Sequence, residues 1–157
     1  MKLIFFEILF IVSIWANSIQ KENNTTKSKE KNFSFLVVTA KKYLGKPYSY
    51  GKIGPKSFDC SGFVYAICRE NNITVPRTSL KQSQIKGKKI PKEQLVVGDL
   101  IFFDTSKKGK VNHSGIFLGD DKFIHASSGK AYSVTISNLS GWYRDKFKWG
   151  KRIDADK

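Results

Sequence analysis

Residues 58–64, FDCSGFV, contain the start of the helix around which this 157-residue chain is predicted to fold. Asp59 suits the N-cap position, where its side chain can accept a free backbone N–H. Apolar residues then recur at helical spacing, at positions 63, 64, 67 and 68. Cys60 therefore lies in the first turn, where unpaired N–H groups and the helix dipole lower the pKa of a thiol and can hold an oxyanion. We predict that Cys60 is a nucleophile; the alternative is an inert buried thiol.

The second cysteine, Cys68, lies eight positions further along the same predicted helix. A rise of about 1.5 Å per residue separates the two Cα atoms by roughly 12 Å. A disulfide needs Cα atoms within about 7 Å of each other. No bond is therefore expected between the two thiols, and Cys68 is interpreted as a structural residue.

The chain beyond residue 98 follows the pattern of strands. Strands are predicted at residues 99–104, 111–118, 122–126, 131–136 and 148–153. A first helix is predicted to begin near Phe33 and to end at Gly45 and Pro47. Helices that precede strands along the chain indicate an α+β fold, with N-terminal helices packed on an antiparallel β-sheet.

The two histidines of the chain fall on the two strands that flank a predicted hairpin turn at residues 119–121, GDD. A turn centred on Gly119 would place His113 directly opposite His125, with Cβ atoms about 5 Å apart. His113 could then take the proton of Cys60 while His125 holds the ring of His113 in the right tautomer. The alternative is a pair of structural histidines.

Composition narrows the classes of function. The 28 Lys and Arg residues outnumber the 13 Asp and Glu residues, which gives a net charge of +15. Such a charge favours polyanionic partners, but no arginine cluster or basic helix accompanies it, so no nucleic-acid partner is predicted. Two histidines twelve positions apart, far from either cysteine, do not match zinc-site spacing. Glycine-rich phosphate loops and paired glycosidase carboxylates are not found in the sequence, and neither a metal nor a cofactor is expected.

The N-terminal residues resemble a targeting segment. Residues 1–18 are predicted to be a signal peptide, since Lys2 precedes an apolar run over residues 8–15 and small residues follow. An uncleaved membrane anchor and a buried strand are the alternatives. Residues 19–32 are polar and are predicted to be a disordered linker, which leaves residues 33–157 as the catalytic domain. Export to the periplasm or the extracellular space is expected, with membrane contact only through the signal segment.

Several motifs together resemble the NlpC/P60 family of cell-wall peptidases. PYSYG at 47–51 followed by FDCSGFV at 58–64 is similar to the family's nucleophile region. VGDLIFF at 97–103 resembles its Gly-Asp-Leu strand, HSGIFLG at 113–119 its histidine strand, and FIHAS at 123–127 the strand of the third catalytic residue. PRTS at 76–79 and KRI at 151–153 fit as well. Ser114 departs from the pattern, because the family usually has an apolar residue there.

The resemblance implies a papain-like fold and a catalytic set of one thiol and two imidazoles, those of Cys60, His113 and His125. It implies that the hydroxyl of Tyr48 stabilises the oxyanion and that Ser61 and Asp59 line the substrate site. The implied substrate is peptidoglycan, cut between γ-linked D-glutamate and a diamino acid, commonly meso-diaminopimelate. A monomer that needs no cofactor is expected to perform this reaction.

Two other functions stay open. A related amidase or lipid acyltransferase uses the same Cys–His chemistry, but in such acyltransferases His typically precedes Cys, whereas Cys60 precedes His113 here. An inactive wall-binding module would keep the fold and lack a catalytic group. All four residues of the implied machinery are present, which favours the peptidase.

Overall fold

The computed structural model describes residues 15–21 and 35–153, and the chain divides into one unit of residues 1–32 and another of residues 33–157. In the first unit residues 15–21 are helical, and the rest of the predicted signal peptide and linker lies outside the described residues. Within residues 15–21 and 35–153, no helix combines the length and the apolar character that crossing a bilayer requires.

The second unit has an α+β fold, as the sequence predicts. Helix α1 spans residues 35–41, α2 Cys60–Glu70 and α3 Ser79–Ser83, and a 3-10 turn follows at Lys92–Gln94. The strands are β1 Leu100–Phe103, β2 His113–Gly119, β3 Lys122–Ala126, β4 Val134–Asn138 and β5 Phe147–Lys151. They form one antiparallel sheet in the order β4-β3-β2-β1-β5. Helix α3 was not predicted, because it is short and largely polar.

Helix α2 packs on one face of the sheet, against β2 and β3. Its side chains Phe63, Val64 and Ile67 are fully buried in the main core, and each such burial contributes about 1.5–3 kcal/mol. Along β1, Phe102 joins this core, whereas Phe103 joins a smaller cluster on the opposite face, because successive strand residues point to opposite sides. The buried face of α2 therefore sets how the first turn of the helix approaches the sheet.

The hairpin of β2 and β3 has a different register from the one expected. Phe117 pairs with Phe123 and Ile116 with Ile124, and this register places His125 opposite position 115 rather than opposite His113. The prediction that the two histidines lie directly opposite each other in the hairpin was wrong by two residues. The turn consists of Asp120 and Asp121 at φ of 48° and 61°, a pair of positive values typical of a type I′ hairpin turn. It pairs Gly119 with Lys122, and an irregularity between Phe117 and Gly119 sets the register beyond it.

Candidate active site

The first turn of α2 is held by the side chain of Asp59. Its Oδ1 accepts the backbone N–H of Gly62 at 2.6 Å, and its Oδ2 accepts that of Gly51 at 2.8 Å. Only glycine fits at position 62, since a Cβ there would lie 2.1 Å from the carbonyl oxygen of Lys52. These contacts fix Cys60 as the first residue of the helix.

Two residues predicted to bind substrate, Asp59 and Ser61, are buried beside this turn. The guanidinium of Arg77 donates to both carboxylate oxygens of Asp59, at 3.0 and 2.5 Å, and to Oγ of Ser61 at 2.9 Å. Both oxygens of Asp59 are thus engaged within the protein, and they position the helix start. Contact of either residue with substrate stays a prediction.

Cys60 lies between α3 and the start of β2. Its Sγ is 3.7 Å from Oγ of Ser79 and 3.8 Å from the backbone carbonyl oxygen of Asn112. Burial raises the pKa of the Cys60 thiol, and the hydroxyl of Ser79 and the backbone N–H groups of Ser61 and Ser114 offset this only in part. The predicted lowering of this pKa was wrong, because desolvation of the thiolate outweighs the helix N–H groups. Cys60 therefore needs a base to ionise.

The two imidazoles are in direct contact although they are diagonal neighbours in the hairpin. Nε2 of His113 lies 2.8 Å from Nδ1 of His125, and Nε2 of His125 lies 3.0 Å from Oγ of Ser137 on β4. Gly115 leaves room for this contact, since a Cβ at that position would lie 3.2 Å from Cβ of His125 and 2.9 Å from the carbonyl oxygen of Ile124.

The order of these hydrogen bonds determines which nitrogen of His113 is available. When Nε2 of His113 donates to His125, and Nε2 of His125 donates to Ser137, both rings are neutral and Nδ1 of His113 carries a free lone pair. This arrangement allows His113 to accept a proton and His125 to hold its tautomer.

Both imidazoles are kept uncharged by burial. Desolvation lowers the pKa of His113 to about 4, and burial together with the neighbouring His113 lowers the pKa of His125 well below its usual value. At neutral pH the site thus combines a protonated thiol with a neutral imidazole.

We expect the protein to lose stability as the pH falls from about 6.5 to about 4. In this range the unfolded chain binds a proton at residue 113, whereas the folded chain does not until the pH reaches about 4. The unfolded state binds more protons in this range, so the free energy of unfolding decreases as the pH is lowered. The decrease is about 3 kcal/mol for His113 alone. Urea unfolding at a series of pH values measures this.

His113→Gln is the matched control for this acid sensitivity, because the amide does not titrate. Its free energy of unfolding should fall less steeply between pH 6.5 and 4 than that of the parent protein, whatever its value at pH 7. Identical slopes in the two proteins would show that His113 is not buried as a neutral ring.

A cavity of about 830 Å³ opens beside His113, on the sheet face that carries both imidazoles. Tyr143 forms one wall, and its ring stacks on that of His113 at a centroid distance of 5.9 Å. Hydroxyl side chains form much of the remaining wall, namely Thr105, Ser127, Ser128, Thr135 and Ser137. Lys130 is the one lysine or arginine among the lining residues, and they include no carboxylate.

The other predicted residues divide between the site and the core. Tyr48 is half-buried, and its pKa is raised by burial first and then by the nearby Cys60, so the phenol keeps its hydrogen. Cys68 is fully buried in the main core, where desolvation raises its pKa to about 12. Both cysteines are free, as predicted.

Sequence reasoning assigned no role to several residues that touch this machinery. They are Ser79, Gln82, Asn112, Ser137 and Tyr143. Ser79 lies in the PRTS motif, which was a usable signal, but the others belong to no motif that points to chemistry. Within the described part of the chain, no group of three or more His, Cys, Asp or Glu residues could hold a metal ion.

A family model and several known proteins match most of this chain. Residues 45–153 match the NlpC/P60 family. The chain belongs to the NlpC/P60 family. A γ-D-glutamyl-L-lysine dipeptidyl-peptidase of Bacillus cereus is 42% identical over 118 residues, which are 74% of this chain and 35% of that protein.

Solved structures place the fold in the same family. An NlpC/P60 family protein from Bacillus cereus superposes with a TM-score of 0.71 at 37% identity, covering 76% of this chain and 39% of the other. The NlpC/P60 domain of the peptidoglycan hydrolase SagA gives a TM-score of 0.66 at 29% identity, covering 77% of this chain and 98% of the other. This NlpC/P60 chain spans only 22% to 35% of the length of several curated relatives.

Proposed function

We propose that this NlpC/P60 chain is a peptidoglycan hydrolase of the cysteine type that cuts a peptide bond in the wall stem. The observation that carries the proposal is the contact of the two buried imidazoles, with 2.8 Å between Nε2 of His113 and Nδ1 of His125. With Nε2 of His113 as the donor in this contact, Nδ1 of His113 can take a proton, and Cys60 opens the helix that packs on the same strands.

The reaction follows from these protonation states. His113 takes the proton of Cys60, and the thiolate attacks the carbonyl carbon of the scissile bond. The backbone N–H groups of the first turn of α2 and the hydroxyl of Tyr48 stabilise the resulting oxyanion. His113 then gives its proton to the leaving amine, which departs and leaves a thioester. Water, deprotonated by His113, hydrolyses the thioester and restores the thiol.

The cavity beside His113 suits the leaving amino acid, because His113 must protonate the amine that departs. Lys130 and several hydroxyls line this cavity, without a carboxylate. Such a wall favours a side chain that ends in a carboxylate beside its ammonium, as in meso-diaminopimelate, over one that ends in an ammonium alone, as in L-lysine. We therefore propose the bond between γ-D-glutamate and meso-diaminopimelate as the one that is cut.

Two synthetic tripeptides test the choice of bond: L-Ala-γ-D-Glu-meso-diaminopimelate and the same peptide with L-lysine. We expect kcat/KM for the first to be about twofold to fivefold higher, the upper part of the range for one exposed ion pair. Lys130→Ala should remove this preference, and Lys52→Ala, which changes an exposed lysine outside the cavity lining, should keep it. Mass spectrometry of the products identifies the bond. Equal rates, or faster cleavage of the lysine peptide, would argue against the proposed specificity.

A wall substrate also supports export of the chain, because peptidoglycan lies outside the cytoplasmic membrane. The basic surface, with a net charge of +15, suits a polymer that carries carboxylates. Cleavage of neither tripeptide nor whole peptidoglycan by a folded protein would favour the lipid-acyl or wall-binding alternatives.

A further inference from the structure

The orientation of the Gln82 amide is determined by its surroundings. Gln82 is fully buried on α3, and its Nε2 lies 3.0 Å from the carbonyl oxygen of Ser61 and 2.9 Å from that of Pro76. Carbonyl oxygens only accept, so both amide hydrogens are used there. Oε1 of Gln82 can only accept, and it lies 3.0 Å from Oγ of Ser114.

This amide in turn determines where the neighbouring hydroxyl hydrogens point. Ser114 has one hydroxyl hydrogen and must give it to Oε1 of Gln82. Oγ of Ser79 lies 3.0 Å from Oγ of Ser114, so in this bond Ser79 is the donor. Ser79 also lies 3.7 Å from Sγ of Cys60. Its single hydrogen therefore has two possible acceptors once Cys60 has lost its proton.

We propose that Ser114 is a positioning residue that competes with the Cys60 thiolate for the hydroxyl hydrogen of Ser79. While Cys60 is protonated, its S–H donates toward Ser79 or toward the carbonyl oxygen of Asn112, and every hydrogen in the chain of hydroxyls has an acceptor. When the proton moves to His113, the hydroxyl of Ser79 turns from Ser114 to the thiolate.

The competition is set by the strengths of the two bonds. A hydrogen bond to an anion is roughly twice as strong as one between neutral groups, so Ser79 favours the thiolate. The neutral bond to Ser114 is lost in exchange. Ser79 is 5% exposed and Ser114 is fully buried, so no hydrogen bond from water replaces the one that Ser114 loses. Ser114 occupies the position at which the chain departs from the apolar residue usual in the family, which makes the competition a property of this sequence.

Other titratable groups also surround Cys60, and Ser114→Ala leaves each of them in place. They are Asp59 at the helix start, Tyr48 in the preceding loop, Arg77 before α3 and Tyr143 beside the imidazoles, and His113 on β2 is the proposed base. The inference rests on Cys60 as the proposed nucleophile. Chemical modification of the thiol needs no wall substrate. A failure of the inference about Ser114 can therefore be told apart from a failure of the proposed function.

Alkylation of Cys60 by iodoacetamide, followed across pH by peptide mass spectrometry of the full chain, tests the proposal. Ser114→Ala should shift the midpoint of the rate profile down by roughly half a pH unit, the effect of one neutral hydrogen bond, and so speed alkylation about threefold at lower pH. Gln82→Met should act in the same direction, because Ser114 then donates to Ser79 and releases the hydrogen of Ser79. Ser79→Ala should raise the midpoint.

A double-mutant cycle separates this competition from a loosening of the fold. In a Ser79→Ala background, Ser114→Ala should leave the midpoint unchanged. Ser114→Thr, which keeps the hydroxyl, should restore the parent midpoint. Ser83→Ala is the matched control, since Ser83 is equally buried on α3 and donates only to the carbonyl oxygen of Leu80 at 2.7 Å. The proposal would be overturned if both Ser114→Ala and Gln82→Met left the midpoint unchanged. It would also be overturned if Ser114→Ala shifted the midpoint equally in the parent protein and in the Ser79→Ala background.

Discussion

Cys60→Ala should lower kcat/KM for the diaminopimelate tripeptide by at least about 10⁴-fold. Alanine offers no nucleophile, so no thioester can form, and the remaining N–H groups and the cavity only bind the substrate. The change is small and lies at a position outside the fully buried core, so the fold should survive. Steady-state kinetics and intact-mass measurement of any covalent intermediate give the comparison.

Cys68→Ala is the matched control, since it removes the other thiol from the same helix. Cys68 lies in the core and its pKa is raised to about 12, so it contributes packing and no reactivity. This variant should keep the parent kcat/KM and lose about 1–2 kcal/mol of stability. Activity that disappears with Cys68 and persists without Cys60 would exclude the proposed nucleophile.

His113→Ala should lower kcat/KM by about 10³- to 10⁴-fold, because burial raises the pKa of Cys60 and the thiol then has no base. In the parent enzyme the acid limb of the pH profile should lie near pH 4, where His113 becomes protonated. The variant should lack this limb. Its rate should instead rise with pH as the thiol ionises unaided.

The combined effect of two substitutions on kcat/KM provides the check on His113. If Cys60 and His113 act as one unit, the double variant Cys60→Ala/His113→Ala should be no slower than Cys60→Ala alone. Circular dichroism would establish that the buried site tolerates the change. A folded His113→Ala protein that retained more than about a tenth of the parent rate would remove His113 from the mechanism.

Much of the architecture can be predicted from local patterns. Helix α2 follows from the Asp59 cap and the apolar spacing after it, and the alternating strands follow from their periodicity. These features depend on neighbours in the chain, which is why sequence alone determined the α+β class and pointed to Cys60, His113 and His125. Helix α3 escaped prediction because five mostly polar residues carry no periodic signal, although tertiary packing buries three of them.

The details of the hairpin show where such reasoning stops. The two histidines were expected to be directly opposed, but a turn at Asp120 and Asp121 and an irregularity between Phe117 and Gly119 together shifted the register by two residues. Nε2 of His113 and Nδ1 of His125 still lie 2.8 Å apart, because the imidazole side chains are long and Gly115 has no side chain between them. The contact thus depends on a close approach across strands that no spacing along one strand reveals.

The sequence by itself determined the class of fold, the helix that presents Cys60, the two free thiols and the family resemblance, because each depends on residues close together in the chain. Only the tertiary structure decided the protonation of the site. Burial raises the pKa of Cys60 and lowers that of His113, and the hydroxyls of Ser79 and Ser114 meet across 35 positions of sequence. Desolvation and hydrogen-bond direction depend on what surrounds an atom in space, and that environment forms only when the chain has folded.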